Sequence, residues 1–165
     1  MKRKIWNVKR GAWCAILHSA FFILPLLFPA LCAPLSAGPA GDSVRLITLD
    51  PGHFHAGLVQ KSMYPQVSPV VRVYAPAGPD LQDHLKRIES FNTRADQPTH
   101  WEEKVYTGPD FLQRMLKDRA GNVVVLAGND ARKTEYIDRS VSAGFNVLAD
   151  KPMAITPADF KLLRK

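Results

Sequence analysis

Residues 122–165 read NVVVLAGNDARKTEYIDRSVSAGFNVLADKPMAITPADFKLLRK, and the order of apolar and polar runs in this stretch decides the fold. A β-branched run at 123–125 predicts a strand, and the polar stretch that follows predicts a helix ending at Gly144. A short apolar strand at 145–149 then leads into Asp-Lys-Pro and a further helix. Alternating strands and helices predict a parallel sheet with ligand sites at the carboxyl ends of its strands.

The same alternation extends toward the N-terminus. Apolar runs at 44–49 and 70–75 predict two buried strands, and 104–106 predicts a short third one. The tripeptide Gly-Pro-Asp occurs at 78–80 and again at 108–110, and a proline followed by an acid is typical of the first turn of a helix. The sequence therefore predicts an α/β protein with a doubly wound parallel sheet over residues 41–165.

The first forty residues differ in composition from the rest. Five basic residues occupy the first ten positions, an apolar stretch follows at 11–32, and no acid occurs before Asp42. This pattern predicts a secretory signal peptide over residues 1–40, with a single membrane anchor as the alternative. The predicted localisation is therefore periplasmic or secreted, with membrane contact only through the export signal. Cys14 and Cys32 both lie inside the signal, so the exported chain would have no thiol.

The positive net charge belongs mostly to that opening segment. Removing its five basic residues from the total of 22 leaves 17, against 15 acidic residues. The exported part is thus nearly neutral, and the sequence predicts no nucleic-acid partner.

Two segments resemble a known protein family. The strand VVVLAGND, the helix end and strand SVSAGFNVLA, and Asp150-Lys151-Pro152 resemble the end of the dinucleotide-binding domain of the Gfo/Idh/MocA oxidoreductases. The opening VRLITLDPGHFHAGLV resembles a branch of that family with an altered glycine turn. The resemblance covers essentially all of the chain after the export signal. It implies a Rossmann-like fold, NAD or NADP as cofactor, and a sugar or polyol-like substrate.

The resemblance also assigns residues. It implies that Lys151 is catalytic or orients the nicotinamide, and that Pro152 holds the turn after it through a bond that is commonly cis. A lysine near a carbonyl or alcohol can stabilise developing negative charge. The implied cofactor-binding residues are Asp50, Gly52, His53, His55, Asn129, Lys151 and Pro152.

The predicted phosphate-binding turn departs from the usual fingerprint. Of three expected glycines only Gly52 is present, since Asp50 and His55 stand at the other two positions. No acid directly follows the second strand to bind a ribose, and Asp80 is predicted to be a first-turn helix acid instead. These departures support an alternative, a non-catalytic periplasmic α/β binding module that has lost the nucleotide.

A second alternative uses the two histidines of that turn. His53 and His55 alternate as zinc-binding histidines do in metal-dependent hydrolases, and His84, His100 and Asp50 are conceivable further ligands. The barrel of such hydrolases needs ~250 residues, which this chain lacks. The sequence therefore predicts no metal site, and it leaves the two histidines either hydrogen-bonded locally or lining a cleft.

Two further expectations concern the helix at 130–142 and the extent of the chain. The charged residues Lys133, Glu135, Asp138 and Arg139 are predicted to form a solvated helix face. The resembled family has a second, substrate-binding domain, so we expect this chain to be a partial one that is inactive alone. A full-length protein could form a homo-oligomer.

Overall fold

The computed structural model describes residues 43–165. The predicted signal peptide, with both cysteines, lies outside the described residues. Within the part that the structure describes, no helix is long and apolar enough to cross a bilayer.

Five parallel strands form one sheet in the order β3-β2-β1-β4-β5. The strands are β1 Leu46–Leu49, β2 Val70–Tyr74, β3 Glu102–Tyr106, β4 Val123–Leu126 and β5 Asn146–Ala149. β1 lies at the centre, with Ile47 opposite Arg72 of β2 and Val124 of β4. The chain builds outward from β1 to one side, returns, and then builds β4 and β5 on the other side. This order places a topological switch point between β1 and β4.

Within residues 43–165, one 3-10 helix and three α-helices connect the strands, and a fourth α-helix follows β5. They are the 3-10 helix Phe54–Gln60, α1 Pro79–Thr93, α2 Phe111–Asp118, α3 Asp130–Ser142 and α4 Pro157–Leu163. Thr156 caps α4 in a reciprocal capping box with Asp159, and Asp80 lies in the first turn of α1 as the sequence predicted. The element after β1 is a single short 3-10 helix, whereas a nucleotide-binding fold usually has an α-helix there.

Apolar side chains cover both faces of the sheet, which is why β1 is buried along its whole length. On one face Ile47 and Leu49 pack with α2, α3 and the segment at Phe145. On the other face Leu46 and Val71 pack against α1 and Trp101. The doubly wound α/β prediction is confirmed in this coarse form.

Candidate functional site

Three turns meet at the carboxyl edge of the sheet, after β1, β4 and β5. The turns after β1 and β4 are in direct backbone contact, because Gly52 N donates to Ala127 O at 2.9 Å. Gly128 has a φ of +89°, and a Cβ built on it would lie 2.4 Å from the carbonyl carbon of Gly52. Only glycine permits this approach. Most of the predicted site residues are therefore brought to the switch point.

Asp50 ends β1 and turns its carboxylate into the protein. Its φ of 49° is left-handed, a conformation that Asp tolerates better than most residues and that a glycine would otherwise supply. The buried carboxylate accepts hydrogen bonds from the Tyr136 hydroxyl at 2.6 Å and from Asn129 Nδ2. Burial and the neighbouring Asp50 together raise the pKa of Tyr136, so its hydroxyl remains a donor. Asp50 and Asn129 thus contact each other within the predicted cofactor set.

His53 and His55 lie on the turn after β1, and both face Asp150 after β5. Nδ1 of His55 is 3.1 Å from Asp150 Oδ2, and Nδ1 of His53 is 3.5 Å from the same oxygen. The two rings are nearly perpendicular, with centroids 4.3 Å apart. Asp150 lies 95 residues after His55 in the chain. The sequence left local bonding and cleft lining open; in the structure His55 bonds to this distant carboxylate, and His53 borders a cavity with Gly52 and Asp80.

The prediction of a solvated face is wrong for Lys133, which is fully buried. Its ammonium contacts Asp150 Oδ1 at 2.6 Å and Asp130 Oδ1 at 2.8 Å. Burial opposes the charged form, but hydrogen bonds and charges from the two carboxylates outweigh it and raise the pKa of Lys133. Partial burial acts to raise the pKa of Asp150. Hydrogen bonds and charges from Lys133 and His55 outweigh this effect, so the pKa of Asp150 is lowered. Asp150 is therefore held as a carboxylate.

A spacing signal for Lys133 does exist in the sequence. The inward side of α3 carries Lys133, Tyr136 and Ser140, three and four residues apart, which is one stripe of a helix. Read as a stripe, these residues indicate an inward-facing lysine. On the outer side of α3, Glu135 pairs with Arg132 at 3.2 Å.

Lys151 and Pro152 follow Asp150 at the same edge, and both are exposed. The peptide bond between them is cis. Asp150 N donates to Leu126 O at 3.0 Å, which fixes the start of this turn against the end of β4. Lys151 is therefore an exposed residue directly after the carboxylate that the two histidines face.

Asp80 approaches the turn after β1 from the first turn of α1. Its Oδ2 would lie 3.6 Å from a Cβ built on Gly52. A cavity of about 160 Å³ separates this carboxylate from the ends of β1 and β2. No acid directly follows β2 in the sequence. The fold nevertheless places Asp80 at the cleft between the ends of β1 and β2, a position that its spacing from β2 did not indicate.

The other residues considered as metal ligands lie elsewhere. His84 is buried on α1, where its Nε2 is 4.0 Å from Glu103 Oε2 of β3. His100 borders a separate surface cavity with Tyr64 and Pro65. Asp50 is bonded to Tyr136. Among the described residues, the carboxylate that lies beside the two histidines is that of Asp150.

Comparison with protein-family models and with curated proteins finds no match. Among solved structures, the chain is similar to a crystal structure described as that of "a putative oxidoreductase" from Parabacteroides merdae. The two share 59% sequence identity with a TM-score of 0.74, over 77% of this chain and 29% of that chain. This chain thus spans less than a third of the length of the protein it matches. The likeness supports the α/β fold of the described residues.

Proposed function

We propose that this chain is the nucleotide-binding part of an exported NAD(P)-dependent oxidoreductase of the Gfo/Idh/MocA type that acts on a sugar or polyol-like substrate. The observation that carries this proposal is the meeting of three turns at the switch point of a parallel sheet. Ligands of open α/β sheets bind at this place. A 59%-identical protein described as an oxidoreductase supports the same general activity.

The residues of the cleft fit a dinucleotide. Gly52 has no side chain to fill the space beside Asp80, and the carboxylate of Asp50 points at Tyr136 instead of toward a phosphate. The repulsion expected from an acid in the phosphate-binding turn is therefore avoided. In this proposal Asp80 accepts hydrogen bonds from a ribose, and the backbone of the Gly52 turn lies along the pyrophosphate.

Lys151 is proposed to act on the substrate side. The nicotinamide supplies the hydride chemistry when bound, and the protein orients it. The exposed ammonium of Lys151, at the end of β5, would stabilise negative charge that develops on the substrate oxygen. The remaining contacts to substrate would come from parts of the full-length protein outside residues 43–165.

Binding measurements test the cofactor step directly. We expect saturable binding of NAD(H) or NADP(H) in calorimetric titrations of the full chain, weakened about tenfold or more in Asp80→Asn on loss of a charge-assisted hydrogen bond. Asp110→Asn is the matched control, because it changes the acid of the second Gly-Pro-Asp tripeptide, which lies at the start of α2. Equal weakening in both variants would contradict the role of Asp80.

One observation favours a second candidate, a non-catalytic α/β binding module that has lost the nucleotide. A 3-10 helix of seven residues follows β1, in place of the α-helix whose N-terminus holds the pyrophosphate in nucleotide-binding folds. If neither NAD(H) nor NADP(H) binds saturably at millimolar concentration, this module becomes the better description.

A further inference from the structure

We propose that His53, His55 and Asp150 form a binding site for a divalent transition metal ion such as Zn²⁺. Each residue offers one ligand atom, and the three atoms lie within 4.8 Å of one another. Two imidazoles with one carboxylate are a ligand set that zinc and similar metals accept. This proposal rests on the geometry of the three side chains and does not require the proposed nucleotide site.

The distances between ligand atoms match those around a bound metal. With metal–ligand bonds of about 2.1 Å, neighbouring ligand atoms are about 3.0 Å apart in octahedral and about 3.4 Å apart in tetrahedral coordination. The two Nδ1 atoms are 3.1 Å and 3.5 Å from Asp150 Oδ2. Both nitrogen–oxygen distances are therefore close to the spacing around a bound ion, and the two nitrogens lie within 4.8 Å of each other.

The tautomer of each histidine decides between two uses of this geometry. With the proton on Nδ1, His55 donates a hydrogen bond to the carboxylate, and His53 is a looser contact of the same oxygen. With the proton on Nε2, both Nδ1 atoms have a lone pair available to bind a cation together with Oδ2. Both rings share one carboxylate oxygen, so a single ion would satisfy all three atoms.

Oδ1 of Asp150, the oxygen that the histidines do not contact, is held in place by the buried ammonium of Lys133. Lys133 contacts Oδ1 and is itself bonded to Asp130, so Oδ2 is the oxygen left for the histidines. Metal-ligating carboxylates are usually oriented by such outer hydrogen bonds. Two carboxylates and one ammonium leave a net charge of −1 behind the site, so a cation is attracted despite the nearby lysine.

The side of the cluster away from Asp150 is open to solvent. The side chains of His53 and His55 are 42% and 32% exposed, so the remaining coordination positions can take water or an oxygen-bearing ligand. Three protein ligands with an open position are typical of sites where a metal acts as a Lewis acid. Lys151 follows at the same edge, so a ligand oxygen bound there would lie near an ammonium group.

Metal titration of the untagged full chain tests the site. Cys14→Ser, His18→Ala and Cys32→Ser first remove the thiols and the histidine of the N-terminal segment, which could bind metal independently. Zn²⁺ affinity is then measured by competition with a chromophoric chelator, and Co²⁺ is added to record its visible spectrum. The variants are His53→Ala and His55→Ala, with His100→Ala as the matched control outside the cluster.

We expect the parent to bind one Zn²⁺ per chain. Removal of a residue that only orients a metal ligand costs ~10–100-fold in affinity, so removal of a ligand itself should cost more. Each cluster variant should show this loss, whereas His100→Ala should bind like the parent. Circular dichroism establishes that the variants are folded, and the exposure of His53 makes its replacement a mild one. No stoichiometric binding by the folded parent, or binding that survives both cluster changes, would overturn the site.

Nucleotide and metal binding are separable outcomes. A chain that binds Zn²⁺ through the cluster but no dinucleotide would retain this proposal and lose the proposed cofactor. The reverse result would retain the cofactor and lose the metal site.

Discussion

Within residues 43–165, two groups of buried ionisable side chains respond to burial in opposite ways. At the carboxyl edge, Lys133 is buried but charged, because Asp130 and Asp150 both bond to its ammonium. Between α1 and β3, His84 and Glu103 are buried without such partners, and His84 Nε2 and Glu103 Oε2 have no hydrogen bond. A buried charge persists where partners stabilise it and is lost where they do not.

The second group is neutralised by its surroundings. Burial is the main reason that the pKa of Glu103 rises to about 7, against an opposing hydrogen bond from Gln60. Burial, with the positive charge of Arg87, lowers the pKa of His84 to about 4. Near pH 5.5 both groups are therefore uncharged. The difference between the groups teaches that ionic partners, and not depth alone, separate a charged site from a neutral one.

The largest test of this comparison removes the ammonium of the first group. In Lys133→Met, Asp130 and Asp150 would face each other with no counter-charge, and loss of one partner of a buried pair is strongly destabilising. Because the side chain of Asp130 is 46% exposed, we expect the lower end of that range, about 3 kcal/mol in the free energy of unfolding. Urea denaturation measures it.

Arg139→Met is the control for this substitution. It also removes a cation from α3, but from an exposed position. A change below about 0.5 kcal/mol is typical of such sites. If Lys133→Met were no more harmful than Arg139→Met, the partnered charge would not contribute to stability.

The pH dependence of stability tests the second group. Between pH 4.5 and 7, folded Glu103 holds a proton that the unfolded chain has lost, so its contribution to stability falls as the pH rises. Between pH 4 and 6.5, unfolded His84 holds a proton that the folded chain lacks, so its contribution rises with pH. The two slopes oppose each other where the windows overlap.

Single variants should separate these slopes. In His84→Gln, stability should fall by about 2 kcal/mol from pH 4.5 to 6.5, and in Glu103→Gln it should rise by about the same amount. Unfolding curves of both variants across this range, set against those of the parent chain, give the measurement. Parallel slopes in the two variants would show that these groups do not titrate as separate buried sites.

The sequence was sufficient for the fold, because strands and helices leave periodic patterns within short windows. The runs at 44–49, 70–75 and 123–125 each became a parallel strand. The 3-10 form of the element after β1 has no distinct signal in the sequence, since a 3-10 helix and an α-helix begin alike.

The site was predicted only in part, because its contacts join distant residues. The resemblance pointed to Asp150-Lys151-Pro152, but nothing local connects Asp150 with His55, 95 residues away. The burial of Lys133 was missed because a charged side chain on a helix is usually exposed to solvent. Here the carboxylates of Asp130 and Asp150 stabilise its charge inside the protein. In the sequence Asp50 stands where a glycine is expected, and only the fold reveals that its carboxylate accepts a hydrogen bond from Tyr136.

The smallest test compares two tyrosines that each donate to an aspartate. Tyr136 donates to buried Asp50 at 2.6 Å, and Tyr74 donates to Asp118 at 3.0 Å. Asp118 is 28% exposed and also bonded to Arg114, so it has other partners. The pKa of Tyr74 rises to about 12, through burial and then Asp118, so it too remains a donor at neutral pH.

Replacing each tyrosine by phenylalanine removes one hydroxyl and little volume. Tyr136→Phe should cost about 1.5 kcal/mol, because a buried carboxylate loses a charge-assisted hydrogen bond that water cannot readily replace. Tyr74→Phe should cost less than about 0.7 kcal/mol, because water and Arg114 can replace the lost donor. Urea unfolding at pH 7 resolves such a difference. Equal losses of unfolding free energy in the two variants would mean that neither other partners nor solvent access determines the cost of removing a donor from a carboxylate. The contrast between the two buried groups would then lose its physical basis.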